Sequence, residues 1–181
     1  MRFEPTGIFG VFVVRLDWHA DARGSFARLF DAAAFAGQGL PAGFAQTSLS
    51  RTARAGTLRG LHFQRPPHAE VKFLRCLRGA AHDVVVDLRS GSPTHGAWRA
   101  FTLREDDDVA LCVPAGCAHG FQALADDTEL LYQISVPYAP GHADGVRWDD
   151  PALGIAWPLP VTLLSERDRI WPLLAERPMA V

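Results

Sequence analysis

The sequence has little cysteine, with only three such residues among 181. They are Cys76, Cys112 and Cys117, and no two of them form a C-x-x-C pair. An odd number without that spacing argues against a disulfide framework and against a zinc ribbon. We therefore expect a cytoplasmic protein, kept in a reducing compartment, in which the three cysteines are small core residues.

The sequence also lacks a long hydrophobic run and an excess of charge of either sign. The apolar stretch from Ile8 to Val14 is interrupted by Gly10 and followed by Arg15, so it is too short to cross a bilayer, and we expect no export signal. Lys plus Arg total 18 against 20 Asp plus Glu, without a basic block that would follow a phosphate backbone. This balance predicts neither a membrane nor a nucleic-acid partner, and an anionic ligand would have to be bound by a few placed cations.

The chain does contain many short β-branched and aromatic segments separated by turn residues. No repeat or linker divides it, so we expect a single domain over residues 1–181. Many strands with few helical windows predict a mainly β fold, an antiparallel sandwich or barrel. Residues 31–43 predict one short helix, and a second begins near Ser165 and is broken by Pro172. The predicted strands are 8–16, 26–30, 44–50, 57–64, 70–77, 81–88, 97–103, 109–113 and 129–136.

One lysine lies in a predicted strand that is otherwise mostly apolar. Alternation over 70–77 places Lys72 on the same face as Leu74 and Cys76. Because burying an unpaired cation is unfavourable, this position indicates either a residue that faces a pocket or an edge lysine whose ammonium reaches solvent.

The segment 57–64 carries both Arg59 and His62, and strict alternation would place them on opposite faces. Gly60 lies between them and is a candidate for a β-bulge that re-aims one of the two side chains. A single histidine in a strand is most often structural, so His62 alone indicates little.

A P-x-G-x-x-H motif ends at His119 and matches part of the second cupin motif, in which the histidine is usually a metal ligand. His62, His68 and Glu70 would complete such a site. However, the dense H-x-H cluster of metal cupins is absent here, and a metal site needs three or four converging ligands. We therefore expect no bound metal, and His119 is expected to be structural or to face a substrate.

Several other polar residues have ordinary structural interpretations. Tyr132 fits a core aromatic with its hydroxyl at the rim, and Asp168 fits a solvated or capping carboxylate on the last helix. Asp83 and Asp87 lie on one face of their strand and would pair with nearby arginines, namely Arg75, Arg78 or Arg89.

A set of short motifs nevertheless occurs in a specific order and spacing. They are D-A-R-G-S-F at 21–26, L-R-G-L-H-F-Q at 58–64, Lys72, and the segments 83–89, 92–96, 114–121, 131–132, 138–140, 147–151, 154–158 and 164–168. Together they resemble the dTDP-4-dehydrorhamnose 3,5-epimerase family, a non-metal branch of the cupin jelly rolls, over nearly the whole chain. The resemblance implies an antiparallel jelly-roll barrel and a homodimeric, cofactor-free enzyme in which strands of one subunit help to build the partner's site.

The resemblance implies roles for four residues in inverting C3, C5 or both of a nucleotide-linked 4-keto-6-deoxyhexose. A C–H beside a ketone is a weak acid, so the reaction needs a base on one face, donors at the enolate oxygen and an acid on the opposite face. By resemblance, His62 is the base and Asp168 is the carboxylate that orients it. Lys72 would donate to O4, and Tyr132 would return a proton from the far side.

The resemblance also implies residues that bind the nucleotide diphosphate. Arg59 and Arg23 would meet the diphosphate, and Phe26 would contact the nucleobase. The other substrate-binding candidates are Arg28, Gln46, Ser48, His119 and Tyr138.

Some positions depart from the family pattern. Arg28 stands where the family has a glutamate, and Ser48 stands where an asparagine is usual. A glutamate accepts the N3–H of thymine whereas an arginine only donates, so Arg28 indicates a different nucleotide preference, for example a CDP-linked sugar. Gln133 and Pro137 replace a lysine and a tyrosine, so the pocket around the acid also differs.

Two other classes of function stay open from the sequence. One is a metal-dependent cupin oxygenase or isomerase, and the other is a sugar-nucleotide binder without catalysis. The joint presence of His62, Lys72, Tyr132 and Asp168 favours an enzyme, because a binder does not need a base opposite an acid.

Overall fold

The fold consists of two antiparallel β-sheets, a separate hairpin and a few short helices, in a computed structural model that describes residues 1–177. The helices are α1 (Ala32–Ala36) and α2 (Glu166–Arg169), with 3-10 turns at Pro140–His142 and Leu174–Glu176. The strands are β1 (Arg2–Pro5), β2 (Phe12–Arg15), β3 (Trp18–Asp21), β4 (Gly24–Ala27), β5 (Gln46–Thr52), β6 (Leu58–Gln64), β7 (Lys72–Arg78), β8 (Ala80–Asp87), β9 (Trp98–Arg104), β10 (Val109–Val113), β11 (Cys117–Ala123), β12 (Thr128–Ile134) and β13 (Ala143–Gly145).

The strand order is that of a jelly roll. One sheet has the order β1-β2-β10-β7-β12-β5, and the other has the order β13-β6-β11-β8-β9. From β5 to β12 the chain changes sheet at every connection except the one from β8 to β9, so neighbouring strands are distant in sequence. The predicted mainly β, cupin-like barrel is confirmed.

The inner faces of the two sheets enclose the main hydrophobic core. Leu74 and Leu130 of the six-stranded sheet and Val85 and Phe121 of the five-stranded sheet belong to this buried cluster. Cys76 and Cys117 lie in the same core and Cys112 lies in another, so all three cysteines are buried as predicted.

Apolar clusters also cover the outer faces of both sheets. Leu61, Val84 and Val146 are buried on the outer side of the five-stranded sheet, and Phe35 of α1 packs with Phe73 on the outer side of the other. Because both faces are covered, consecutive residues of β7 and β8 are buried: 72–76 in β7 and 83–87 in β8.

The predicted strands from residue 44 onward agree with the structure to within two residues at each end. The sequence prediction omits β1, β3, β11 and β13. It misses β11 because Gly120 lies in the middle of this strand and interrupts the β-branched and aromatic pattern. Glycine is needed there, since a Cβ atom at Gly120 would lie 2.7 Å from the carbonyl oxygen of Arg59. The last helix is shorter than predicted and ends at Arg169, before Trp171 and Pro172.

No helix within residues 1–177 is both long enough and apolar enough to span a membrane. The single domain expected over residues 1–181 stays a prediction, and residues 178–181 lie outside the described chain.

Candidate active site

A cavity of about 750 Å³ lies between the two sheets and is bordered by the segment 163–168. It collects nine of the residues that the sequence predicts for the site. The six-stranded sheet supplies Gln46, Ser48, Lys72 and Tyr132, the other sheet supplies Arg59, His62 and His119, α2 supplies Asp168, and Tyr138 lies on the segment after β12.

Three predicted site residues lie outside this cavity in the single chain. Arg23 and Phe26 are on the hairpin of β3 and β4, and Arg28 follows it. The Arg23 side chain is 89% exposed and forms an ion pair with Asp21 at 2.6 Å, and Arg28 pairs with Asp31 at 3.0 Å. Phe26 and Arg28 line a separate, smaller cavity.

A β-bulge at Gly60 brings Arg59 and His62 to the same cavity. Three residue steps along β6 match two along β11 at this point, so the alternation of side chains is broken between Arg59 and His62. Gly60 has a φ of +139°, and a Cβ atom there would lie 2.6 Å from the Cα atom of Gly120. The bulge that the sequence predicts is confirmed, and only glycine fits it.

His62 is hydrogen-bonded to a buried carboxylate. Its Nε2 atom lies 2.5 Å from Oδ1 of Asp168, which is 4% exposed. Asp168 is held there because the Ser165 hydroxyl accepts a hydrogen bond from its backbone N–H at 3.1 Å and caps α2. Oδ2 of Asp168 accepts the backbone N–H of Gly60 at 3.3 Å, so the bulge and the carboxylate support each other.

The Asp168 carboxyl is held in its ionised form. Burial alone would raise its pKa, but the hydrogen bond and charge of His62, together with hydrogen bonds from Gly60 and Ser165, lower the pKa below its usual value. An ionised Asp168 accepts an N–H from Nε2 of His62, so in the neutral imidazole the lone pair lies on Nδ1.

Lys72 faces the cavity from β7 and is almost fully buried. Its ammonium donates to the carbonyl oxygen of His62 at 2.7 Å and pairs with Glu70 at 3.0 Å. The other carboxylate oxygen of Glu70 accepts the backbone N–H of Gln64 at 2.9 Å. Of the two sequence interpretations of Lys72, the pocket residue is the correct one.

His119 pairs with Asp83 on the neighbouring strand. The His119 Nε2 atom lies 2.8 and 2.9 Å from the two Asp83 oxygens, and both residues are buried. The predicted pairing of Asp83 with an arginine is therefore wrong, because its side chain points between the sheets. Asp87, by contrast, pairs with Arg89 at 2.8 Å as predicted.

Tyr132 lies on the wall opposite His62, on β12 of the six-stranded sheet. Its ring is 5.8 Å from the His119 ring in an edge-to-face arrangement. Burial raises the pKa of the Tyr132 phenol well above its usual value, the charge of Asp83 raises it further, and Arg59 opposes this. The phenol is therefore protonated and neutral near pH 7.

Two guanidinium groups line the cavity without a carboxylate partner in the described chain. Arg59 donates to the Thr52 hydroxyl at 3.2 Å and to a backbone carbonyl at 3.0 Å. Arg167 of α2 lies 4.8 Å above the Trp171 ring and donates to the Tyr138 hydroxyl at 3.3 Å. This pair of cations is suited to an anionic group at the cavity.

The sequence analysis missed Arg167, Trp171 and the ion pair of Glu70. Arg167 lies directly before Asp168 in the 164–168 motif, and this position next to a predicted site residue could have identified it as a second candidate. Glu70 was considered only as a metal ligand, although it lies two residues before Lys72.

The donor set of a metal cupin is not assembled. His62 and His119 each bind a carboxylate, Glu70 binds Lys72, and His68 packs against His142 with ring centroids 4.4 Å apart. Within residues 1–177, no group of three His, Cys, Asp or Glu side chains is placed to hold a metal ion.

The jelly roll, with a histidine–aspartate pair and a phenol on opposite walls of one cavity, fits the class of cupin-like sugar-nucleotide epimerases. The family model described as dTDP-4-dehydrorhamnose 3,5-epimerase matches residues 5–176, and the chain belongs to that family. The sequence resemblance to this family is thereby confirmed.

Individual proteins agree with this assignment. A dTDP-4-dehydrorhamnose 3,5-epimerase of Sinorhizobium fredii is 43% identical over 99% of this chain and 93% of that protein. A dTDP-4-dehydrorhamnose 3-epimerase of Streptomyces niveus is 42% identical over 97% of this chain and 85% of that protein. The crystal structure of a 3,5-epimerase from Bacillus anthracis, with TDP and PPi bound, has a TM-score of 0.91 and 38% identity, covering 96% of this chain and 99% of that one. The protein is an isomerase, an epimerase of sugar nucleotides.

Proposed function

We propose that the protein inverts C3, C5 or both of a dTDP-linked 4-keto-6-deoxyhexose by removing a proton on one face and returning one on the other. The observation that carries the proposal is the pairing of His62 with a buried, ionised Asp168 on one wall of the cavity, opposite a neutral Tyr132 phenol.

The first step belongs to His62. Since Nε2 is occupied by Asp168, Nδ1 takes the proton from the carbon beside the C4 ketone, and the C–H electron pair becomes the C=C bond of an enolate. Asp168 stabilises the imidazolium that forms. An ammonium has three N–H donors, and Lys72 uses two of them on Glu70 and the His62 carbonyl, so the third is left for the enolate oxygen O4.

The second step belongs to Tyr132. Its hydroxyl gives a proton to the same carbon from the opposite face, the enolate electrons form the new C–H bond, and the ketone is restored. The tyrosinate then regains a proton from solvent and the imidazolium releases its proton, so the enzyme returns to its starting state.

The substrate diphosphate would be bound by Arg59 and Arg167, which face the cavity without a carboxylate partner in the described chain. Gln46, Ser48 and Tyr138 lie on the same cavity and are the remaining contacts of the nucleotide sugar in one subunit. The TDP bound by the relative from Bacillus anthracis supports a dTDP-linked substrate.

We further propose a homodimer in which Arg23 and Phe26 of one subunit serve the cavity of the other. These residues project on the hairpin of β3 and β4, away from the cavity of their own chain. Exposed apolar residues on the outer face of the six-stranded sheet support the proposal that a second copy binds there. Leu49 and Leu77 are 48% and 42% exposed there, beside a buried Arg75 for which the described chain offers no carboxylate partner.

A second candidate substrate is a CDP-linked 4-keto sugar, which the donor-only side chain of Arg28 favours. If the substrate is CDP-linked, CDP will raise the melting temperature more than dTDP, UDP or GDP does, in a thermal-shift titration at equal concentrations. A clear preference for dTDP would eliminate this candidate and leave the dTDP-linked substrate. The matched variant is Arg28→Glu, which replaces a donor-only side chain, paired with Asp31 in the wild type, by an acceptor. We expect dTDP to stabilise this variant more, relative to CDP, than it stabilises the wild type.

The proposed function is tested by incubating a dTDP-linked 4-keto-6-deoxyhexose with the enzyme in D2O and following C3 and C5 by NMR. We expect His62→Ala to lose exchange at both carbons, because in the proposed reaction His62 removes the proton from either carbon. Tyr132→Phe retains exchange but slows net inversion, because the proton then returns mainly from the His62 side. His95→Ala, which removes an exposed histidine outside the cavity, serves as the control and keeps both rates. Unchanged exchange in His62→Ala refutes the base assignment.

A further inference from the structure

Trp171 follows α2 and contacts both members of the His62–Asp168 pair. Its indole N–H donates to Oδ1 of Asp168 at 3.2 Å, the same oxygen that lies 2.5 Å from Nε2 of His62. The indole and imidazole centroids are 6.2 Å apart and the rings are inclined by 66°. One carboxylate oxygen is therefore shared by two ring nitrogens.

The fold holds the indole firmly in this place. Gly145 of β13 is paired with His62 of β6, and a Cβ atom at Gly145 would lie 2.5 Å from an indole ring carbon. The guanidinium of Arg167 lies over the ring, 4.8 Å from its centroid. Since a glycine backbone and a stacked cation confine the ring, the direction of its N–H is set by packing rather than by the hydrogen bond alone.

We infer that Trp171 is a positioning residue, whose N–H occupies one lone pair of Oδ1 and so directs the other lone pair of that oxygen at Nε2 of His62. The inference rests on the proposed function, because it assigns Trp171 a role through the base of that reaction. It follows that the indole shares the carboxylate charge with the imidazole. When the N–H is lost, more negative charge stays on Oδ1, and the protonated form of His62 is stabilised further.

The test is Trp171→Phe, which keeps an aromatic ring and removes the N–H. We expect the acidic limb of the kcat/KM profile to move to higher pH by about half a unit, because the base is then protonated up to a higher pH. An NMR titration of the 15N-labelled imidazole is expected to show the midpoint of His62 moving by the same amount in the same direction. The other charged groups around the imidazole stay in place: Arg59 on β6, Lys72 on β7, His119 on β11, Asp144 on β13, Arg167 on α2, and Glu70.

The matched control is Trp157→Phe. It removes an indole N–H that donates to the carbonyl oxygen of Trp148 at 3.0 Å. Trp157 lines a different cavity from the one that contains His62. We expect no movement of the His62 titration in this variant. If Trp171→Phe does not accumulate as folded protein, β-(3-benzothienyl)alanine at position 171 keeps the bicyclic ring, replaces N–H by sulfur and gives the same measurement.

The inference is overturned if the His62 titration in the position-171 variant stays where it is in the wild type, moves to lower pH, or moves equally in Trp157→Phe. The NMR titration needs no turnover, so it is independent of the proposed reaction. Exchange that persists in His62→Ala would remove the proposed function, whereas an unmoved titration would remove only the role of Trp171.

Discussion

At the scale of single residues, the cavity of a chain with net charge −2 presents two arginines that no carboxylate in the described chain neutralises. Outside the cavity, Arg23 pairs with Asp21 and Arg65 pairs with Asp144. Arg59 and Arg167 are instead fixed by neutral groups, a threonine hydroxyl and backbone carbonyl for one, and a tyrosine hydroxyl and indole face for the other. Two individually placed arginines can therefore attract an anion at the cavity without a positively charged surface around it.

The role of Arg167 is testable by its replacement with glutamine. We expect Arg167→Gln to raise KM for the nucleotide sugar by about tenfold or more with little change in kcat, because a charge-assisted hydrogen bond to phosphate is lost in both the ground state and the transition state. Steady-state kinetics measure both constants. Arg169→Gln on the same helix, which removes an exposed pairing with Glu166, is the control and keeps the wild-type KM. Equal KM values for wild type and Arg167→Gln would exclude a contact with the diphosphate.

At the scale of elements, the connection after β8 depends on one buried carboxylate. Asp87 accepts hydrogen bonds from Arg89, Ser92 and Thr94, and so fixes the path of the chain toward β9. Burial alone would raise the pKa of Asp87, but the hydrogen bonds from these three residues outweigh burial and hold the pKa well below its usual value. The turn is therefore stabilised by the ionised carboxylate.

We expect Asp87→Asn to lower the free energy of unfolding by about 3 kcal/mol at pH 7, because the Arg89 guanidinium loses its partly buried partner. The folded-state pKa of Asp87 is depressed, so its stabilisation is fully present above the unfolded-state pKa of about 4 and is lost as pH falls below that value. Urea unfolding at pH 7 and pH 3 should accordingly show a smaller difference between wild type and variant at pH 3. Asp106→Asn, at an exposed carboxylate, is the control for a generic charge effect. A difference that is constant with pH would contradict this account.

At the scale of the whole molecule, the core between the sheets is buried, but part of the outer face of the six-stranded sheet leaves apolar side chains exposed. Both sheets contribute to the central cluster, whereas the outer face of β5, β7 and β12 leaves Leu49 and Leu77 partly exposed around a desolvated guanidinium. Desolvation lowers the pKa of Arg75, as expected for a cation covered by protein, and the charges of Cys76 and Asp107 only partly oppose this. A second copy on this face would cover the leucines and bring its hairpin near the neighbouring cavity.

The dimer is testable by Leu49→Glu, which places a carboxylate on that outer face. We expect size-exclusion chromatography with light scattering to give about twice the chain mass for the wild type and the chain mass for the variant, with activity lost in parallel. Phe9→Glu changes an apolar residue that is also exposed, beside Arg89, and is expected to leave the mass unchanged. A wild type that elutes as a monomer, or a Leu49→Glu variant that keeps the wild-type mass, would rule out this interface.

Much of the fold and of the candidate site was predictable from the sequence. Strand positions follow from β-branched segments between turn residues, and the bulge follows from a glycine between two polar residues that one face has to share. Lys72 on an apolar stripe indicated either a pocket or a strand edge, and the structure selected the pocket. These are local properties, because side-chain alternation and turn preference depend on neighbours within a few residues.

Only the tertiary structure decided which distant residues meet. His62 and Asp168 are separated by 106 positions, and Asp83 reaches His119 rather than an arginine because β8 and β11 are neighbours in the five-stranded sheet. The place of Trp171 likewise depends on Gly145 being paired with His62. Such contacts depend on strand order and register across the two sheets, which result from burying the whole core at once and are not specified by any short segment.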